Sequence, residues 1–225
     1  MNIMECPVRV CGKTHQLIRW KNLKTNTPFA PEFDVPMWTS IFPTTLTSKI
    51  LSEVREVEYK YNLGEKYFTW MTYNLFSWHD RFTFIDELLD LIKNNYLKYI
   101  STLEYPYFDN LYIRGWMCIL SEGESLPLHS HSYHENTFLS GNLMLTDSQT
   151  STEYLIPHWS THCGNYLSPN LEGSFLLFPS WVEHFCPVVE HKRYCLAFDI
   201  YTKEGMEHAL INFGEDDPML LSIKF

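Results

Sequence analysis

The sequence has no Cys-x-x-Cys pair, no run of lysine or arginine, and no apolar stretch approaching the roughly 18 residues of a membrane span. Each absence removes a class of protein. The six cysteines (Cys6, Cys11, Cys118, Cys163, Cys186 and Cys195) are scattered through 225 residues, so they form neither a paired zinc motif nor a disulfide scaffold. Free, reduced thiols are expected. Lysine and arginine total only 17 against 27 aspartates and glutamates, a formal net charge of −10 that argues against a dedicated nucleic-acid or anionic-membrane surface. Met1–Val10, MNIMECPVRV, lacks the charged start, apolar run and cleavage site of a secretory signal, so a soluble, cytoplasmic protein is expected. There is also no internal repeat, low-complexity segment or linker.

What is present is apolar. Hydrophobic residues make up 45% of the chain and aromatic residues 16%, enough to fill one sizeable core, so a single domain over residues 1–225 is expected. Leu46, Ile50, Val54, Val57 and Tyr61 recur at helical spacing after Thr44 and Thr45 and stop at Asn62-Leu63-Gly64. A second helical pattern runs through Ile85, Leu88, Leu89, Ile92, Tyr96, Tyr99, Ile100 and Leu103, and Pro106 prevents its continuation. Beyond residue 110 the pattern changes to short apolar or β-branched runs between turn residues: YIRGWMCIL, FLSGNLMLT, TEYLIP, SFLLFP and RYCLAFDIY. Helices followed by clustered strands predict an α+β fold whose second part is a sandwich or barrel. The expected organisation is a helical or mixed part over about 1–110, a β core over about 111–205 and a C-terminal extension over about 206–225.

One stretch carries chemistry. PLHSHSYHENTFLSG, residues 127–141, holds His129, His131, His134 and Glu135. In an extended segment residues i and i+2 project to one side, so His129 and His131 can offer two imidazoles to one point. Imidazole suits iron, zinc, copper and nickel alike, so the pair does not choose the ion. A third ligand has to come from elsewhere, and His184, in the later segment GSFLLFPSWVEHFCPVVEHKRYCLAFDI, is the expected one.

Trp116, Gly123, His129-x-His131, FLSG, FPSWVEH and Arg193 together resemble the iron(II)- and 2-oxoglutarate-dependent oxygenases, and within them the small prolyl-hydroxylase-like branch of bacteria and phages. The likeness covers residues 112 to 201. Its most specific piece is a Gly-x5-Pro turn and a histidine, His184, followed nine positions later by Arg193. The resemblance implies a double-stranded β-helix (jelly-roll) braced by the N-terminal helices, with Fe(II) and 2-oxoglutarate as cofactors. It implies a hydroxylase that uses O2, releases succinate and CO2, and acts on a peptide side chain of prolyl type or a small molecule. It implies that His129, His131 and His184 bind the metal. Arg193 would bind the distal carboxylate of 2-oxoglutarate, a role suited to a planar, permanently charged donor fork. Asn142 would face the same co-substrate from the strand after the Ser-Gly step, as would Met144 unless it belongs to the core. The family usually places Asp or Glu where His131 stands, so Glu135 is kept as an alternative ligand. His134 is a further rival.

The same residues also resemble the cupins, through Gly123-x5-His129-x-His131-x3-Glu135 and Gly173-x5-Pro179 with His184. Two departures weigh against that family: Val188 stands where its asparagine is expected, and Trp181 where its second glycine is expected. A third reading is a non-catalytic β-barrel binding module. The segment with His158, His162 and Cys163 is expected to be a loop that shapes access to the site.

Overall fold

The computed structural model of the protein describes residues 15–30, 32–61, 74–108, 110–132, 134–156, 165–213 and 223–224. Cys6, Cys11, Met1–Val10 and the segment with His158, His162 and Cys163 lie outside the described residues. Strands β1 (His15–Asn22) and β2 (Phe33–Ile41) form an antiparallel pair. Helix α1 (Thr44–Tyr61), a short 3-10 turn (Leu75–Ser77) and helix α2 (Ile85–Leu103) follow. The remaining strands are β3 (Tyr112–Leu120), β4 (Leu126–His129), β5 (Leu139–Met144), β6 (Thr152–Tyr154) and β7 (Tyr166–Ser168). After them come β8 (Ser174–Pro179), β9 (His184–Cys186), β10 (Arg193–Tyr201), helix α3 (Lys203–Phe213) and β11 (Ile223–Lys224).

Every described strand pair is antiparallel. A seven-stranded sheet runs β1-β2-β8-β5-β10-β3-β11, and a four-stranded sheet runs β4-β9-β6-β7. From β3 onward the chain passes back and forth between them. Strands β3, β5, β8 and β10 fall in the large sheet and β4, β6, β7 and β9 in the small one. The fold is therefore mixed, with mostly antiparallel sheet and few helices.

Both expected helices form where their apolar stripes lie. Leu46, Ile50, Val54 and Val57 of α1 are buried, as are Ile85, Leu88, Ile92, Tyr96, Tyr99, Ile100 and Leu103 of α2. They share one cluster with Leu143, Leu177, Leu196 and Phe198, which places the helices against one face of the large sheet. Asp86 and Glu87 lie in the first turn of α2, where the helix dipole favours anions. The helix ends when Glu104 turns into the left-handed region at φ 58°, its amide donating to the carbonyls of Ile100 and Ser101. A smaller cluster of Ile18, Trp20, Val35, Met37, Leu176 and Phe178 with Tyr154 fills space toward the small sheet.

The order of elements differs from the expectation in one respect. Two strands precede the helices, and β2 extends the large sheet by pairing Trp38–Ile41 with Leu177–Ser174 of β8. Pro36 interrupts the strand pattern of FDVPMWTSI, which reads against a strand inside a sheet. It is tolerated because it lies outside the segment that pairs with β8. No described helix is long and apolar enough to cross a membrane.

Candidate metal centre

Strand β10 alternates strictly. Tyr194, Leu196, Phe198 and Ile200 join the helix-facing core, whereas Arg193, Cys195, Ala197, Asp199 and Tyr201 line a cavity of about 590 Å³ on the other face. The neighbouring strands follow suit. Arg114, Trp116 and Cys118 of β3 and Asn142 of β5 line the same cavity. At Gly141, in the FLSG segment, an added Cβ would stand 2.3 Å from Phe198 Cζ, so only glycine lets β5 lie this close to the core.

The small sheet closes the other side. His129 at the end of β4 is the direct cross-strand partner of His184 on β9, and His184 is in turn opposite Tyr154 on β6. His131 lies just beyond β4, its amide donating to the Ser180 carbonyl at 3.0 Å. Ring centroids are 4.3 Å apart for His129 and His184, 5.3 Å for His129 and His131, and 5.1 Å for His131 and His184. One ligating atom from each lies within 4.8 Å of the other two, the arrangement expected of a metal site.

The three rings are held by their outer nitrogens. His129 Nδ1 donates to the Pro127 carbonyl at 2.8 Å and His184 Nδ1 to the Val182 carbonyl at 3.1 Å. His131 Nδ1 donates to Asp199 Oδ1 at 2.5 Å. A carbonyl or carboxylate only accepts, so each ring carries its proton on Nδ1 and keeps the Nε2 lone pair for a metal. Burial, with His131 and His129 adjacent, holds His184 well below the ordinary imidazole range. Burial also lowers His129, against the opposing hydrogen bond to Pro127. Both imidazoles are neutral near neutral pH.

Asp199 is buried behind this cluster. Burial works against its charge but is outweighed by His131 and by hydrogen bonds from His131, Ser140 and Tyr201, so its carboxyl lies below the usual range. Asp199 was not among the residues singled out in the sequence. The signal that could have found it is an acid in the apolar strand RYCLAFDIY, in phase with Arg193.

Arg193 is only 2% exposed. Its Nη2 donates to Thr152 Oγ1 at 3.1 Å and lies 3.5 Å from Met144 Sδ, while Nε and Nη1 have no partner among the described residues. Burial works against its charge, and the titratable groups that would oppose this effect are Cys195, Cys118, Cys186 and Tyr154, none of them a carboxylate. Burial pushes the Cys195 thiol up to about 12 and raises Cys118 and Cys186 too, so none supplies a thiolate. A buried, permanently charged guanidinium with two idle donors is costly unless an anion joins it. Asn142 stands nearby, its amide donating to the Tyr154 hydroxyl at 2.6 Å. Met144 is buried in the small cluster with Cys118 and Cys195.

Glu135 is exposed and outside the histidine cluster. His134 lies 3.9 Å from His208 between ring centroids, the rings tilted by 31°, and both line the cavity. Trp116 is a wall of the same cavity, 5.5 Å from the His131 ring.

No protein-family model and no curated protein matches the chain. Solved structures do. A prolyl-4-hydroxylase from Pseudomonas putida superposes with a TM-score of 0.55 at 13% identity, covering 74% of this chain and 88% of its own. A prolyl hydroxylase from Trichoplax adhaerens, in complex with a peptide of the hypoxia inducible factor oxygen degradation domain, gives 0.55 at 11% identity, covering 76% and 86%. HygX from Streptomyces hygroscopicus, with nickel and 2-oxoglutarate bound, gives 0.53 at 14% identity, covering 74% and 83%. The chain thus shares the fold of 2-oxoglutarate- and iron(II)-dependent oxygenases, and it carries a cluster of three histidines.

Proposed function

We propose that the protein is an Fe(II)- and 2-oxoglutarate-dependent dioxygenase that hydroxylates a peptide side chain of prolyl type or a small molecule. The observation that carries this reading is the pairing, in one cavity, of three imidazoles with free Nε2 atoms and a buried guanidinium with two unused donors. The donor set fits the cofactors on both counts. A 2-oxoglutarate dianion has a keto acid for the metal and a distal carboxylate for Arg193. Passage of successive strands between the two sheets supports the double-stranded β-helix as the frame.

The residues divide the work. His129, His131 and His184 would hold the ion, their Nδ1 atoms being engaged elsewhere. Thr152 holds Nη2 of the Arg193 guanidinium, and Nε and Nη1 are left to donate to a carboxylate. Asn142, which lines the cavity and is held by the Tyr154 hydroxyl, would face the same co-substrate. Trp116, Phe178 and Leu126 form apolar walls that limit water at the reacting end. When bound, Fe(II), 2-oxoglutarate and O2 supply the oxidation, with succinate and CO2 as products and one oxygen atom delivered to a substrate C–H bond. The cupin alternative needs Glu135 as a ligand, and its exposed position outside the cluster disfavours that assignment.

Two variants test this reading by calorimetric titration under anaerobic conditions. His184→Ala should lose metal uptake. Arg193→Met should keep metal uptake and lose affinity for 2-oxoglutarate, and unchanged 2-oxoglutarate affinity in Arg193→Met would remove the arginine from the site.

A further inference from the structure

The metal cluster consists of imidazoles alone, yet a carboxylate stands directly behind one of them. We infer that Asp199 is a positioning residue that supplies, through His131, the negative charge that a metal-bound carboxylate would otherwise bring. The inference rests on the oxygenase reading for the identity of the metal and co-substrate, but the geometry behind it is independent of either.

Asp199 Oδ1 accepts from His131 Nδ1 at 2.5 Å and from the Ser140 hydroxyl at 2.5 Å, and Oδ2 accepts from the Tyr201 hydroxyl at 3.0 Å. Three donors on a side chain that is 5% exposed fix the carboxylate in place. The register explains how: Asp199 is the cross-strand partner of Ser140 on β5 and of Arg114 on β3. The Ser140 hydroxyl is also 2.8 Å from the Ser180 hydroxyl, and the Ser180 carbonyl receives the His131 amide. Backbone and ring of His131 are thus anchored by one connected network.

The consequence is electrostatic as well as geometric. With a metal on each Nε2 the imidazoles ligate as neutral bases, so the three rings plus Asp199 would carry one negative charge, the same total as two imidazoles and a directly bound Asp or Glu. A carboxylate on the far nitrogen of a ligating imidazole also fixes the tautomer and makes the near nitrogen a stronger electron donor. Placing the charge one ring away keeps this electron donation while leaving all three protein ligands neutral. Neither His129 nor His184 has such a partner; both donate to backbone carbonyls. His131 is therefore the strongest donor of the three.

The test compares the full chain with Asp199→Asn, which keeps shape and an acceptor oxygen but removes the charge. Anaerobic Co(II) titration should show affinity reduced about 10- to 100-fold, the usual effect of losing an outer partner of a ligand histidine. Asp199→Ala should fall at least as far. The iron(II) form with 2-oxoglutarate should show its charge-transfer band at shorter wavelength in Asp199→Asn, because a poorer donor set lowers the metal orbitals. A merely structural part would change thermal unfolding of the metal-free protein and leave the band where it is. Equal Co(II) affinity and an unmoved band in Asp199→Asn would overturn the inference. Metal uptake by the unmodified protein with no band at all would instead overturn the oxygenase reading, and the Co(II) affinity ratio would still decide the part played by Asp199.

Discussion

The two faces of β10 behave as two different proteins. Toward the helices, Leu196, Phe198 and Ile200 are at most 1% exposed and join a continuous apolar cluster. Toward the cavity, Arg193 and Asp199 are almost as deeply buried, at 2% and 5%, yet they are charged. Burial on the first face stabilises the fold through removal of apolar surface from water. On the second face burial opposes the charges, which are offset in different ways. Asp199 is satisfied by three donors, whereas Arg193 is left with two donors that have no partner among the described residues. One strand with a period of two therefore separates stability from function.

Substitutions on the two faces should part accordingly. Phe198→Ala should have the largest effect on the fold, a loss on the order of 3–5 kcal/mol in urea unfolding, because it empties a fully packed site. Arg193→Met should do the reverse. Its stability should be unchanged or higher, since a buried charge without a counter-ion is removed, while 2-oxoglutarate affinity should drop on the order of 100-fold. If Arg193→Met instead destabilised the metal-free protein as severely as Phe198→Ala, the division between the faces would be broken.

Titration sharpens the same contrast at the small sheet. The folded chain holds His184 and His129 below the ordinary imidazole value, so the unfolded chain binds more protons wherever the two states differ. Stability of the metal-free protein should therefore fall as pH drops below about 6.5, the unfolded-state value. Replacing His184 by Asn should flatten that fall, as followed by thermal unfolding across pH. The smallest effect belongs to Glu135→Gln, which should leave both stability and Co(II) affinity unchanged. A marked loss of metal affinity in Glu135→Gln would return the exposed glutamate to the ligand set.

Much of the site was legible because it rests on local patterns. The His-x-His spacing keeps His129 and His131 together at the end of β4, and the nine positions from His184 to Arg193 run from the start of β9 to the start of β10. The stripes of α1 and α2 and the short apolar runs of β3, β5, β8 and β10 were legible for the same reason. What stayed hidden depends on partners far apart in sequence. The hydrogen bond from His131 to Asp199 spans 68 positions, and no periodicity within either segment announces it. Strand β2 was masked by Pro36, whose place outside the β8 pairing only the register reveals. Helix α3 (Lys203–Phe213) begins directly after β10, inside a stretch with too short an apolar pattern to stand out. Glu135 illustrates the converse, a residue of suitable chemistry and spacing that the turn at 134–136 leaves exposed.

The most direct measurement is anaerobic addition of 2-oxoglutarate to the Fe(II)-loaded protein, followed in the visible range. The three free Nε2 atoms and the idle donors of Arg193 predict a metal-to-ligand charge-transfer band that saturates at one 2-oxoglutarate per iron. That band should fail to develop at the same concentrations in Arg193→Met. Iron uptake with no band at any 2-oxoglutarate concentration, or no iron uptake at all, would contradict a shared metal and co-substrate cavity.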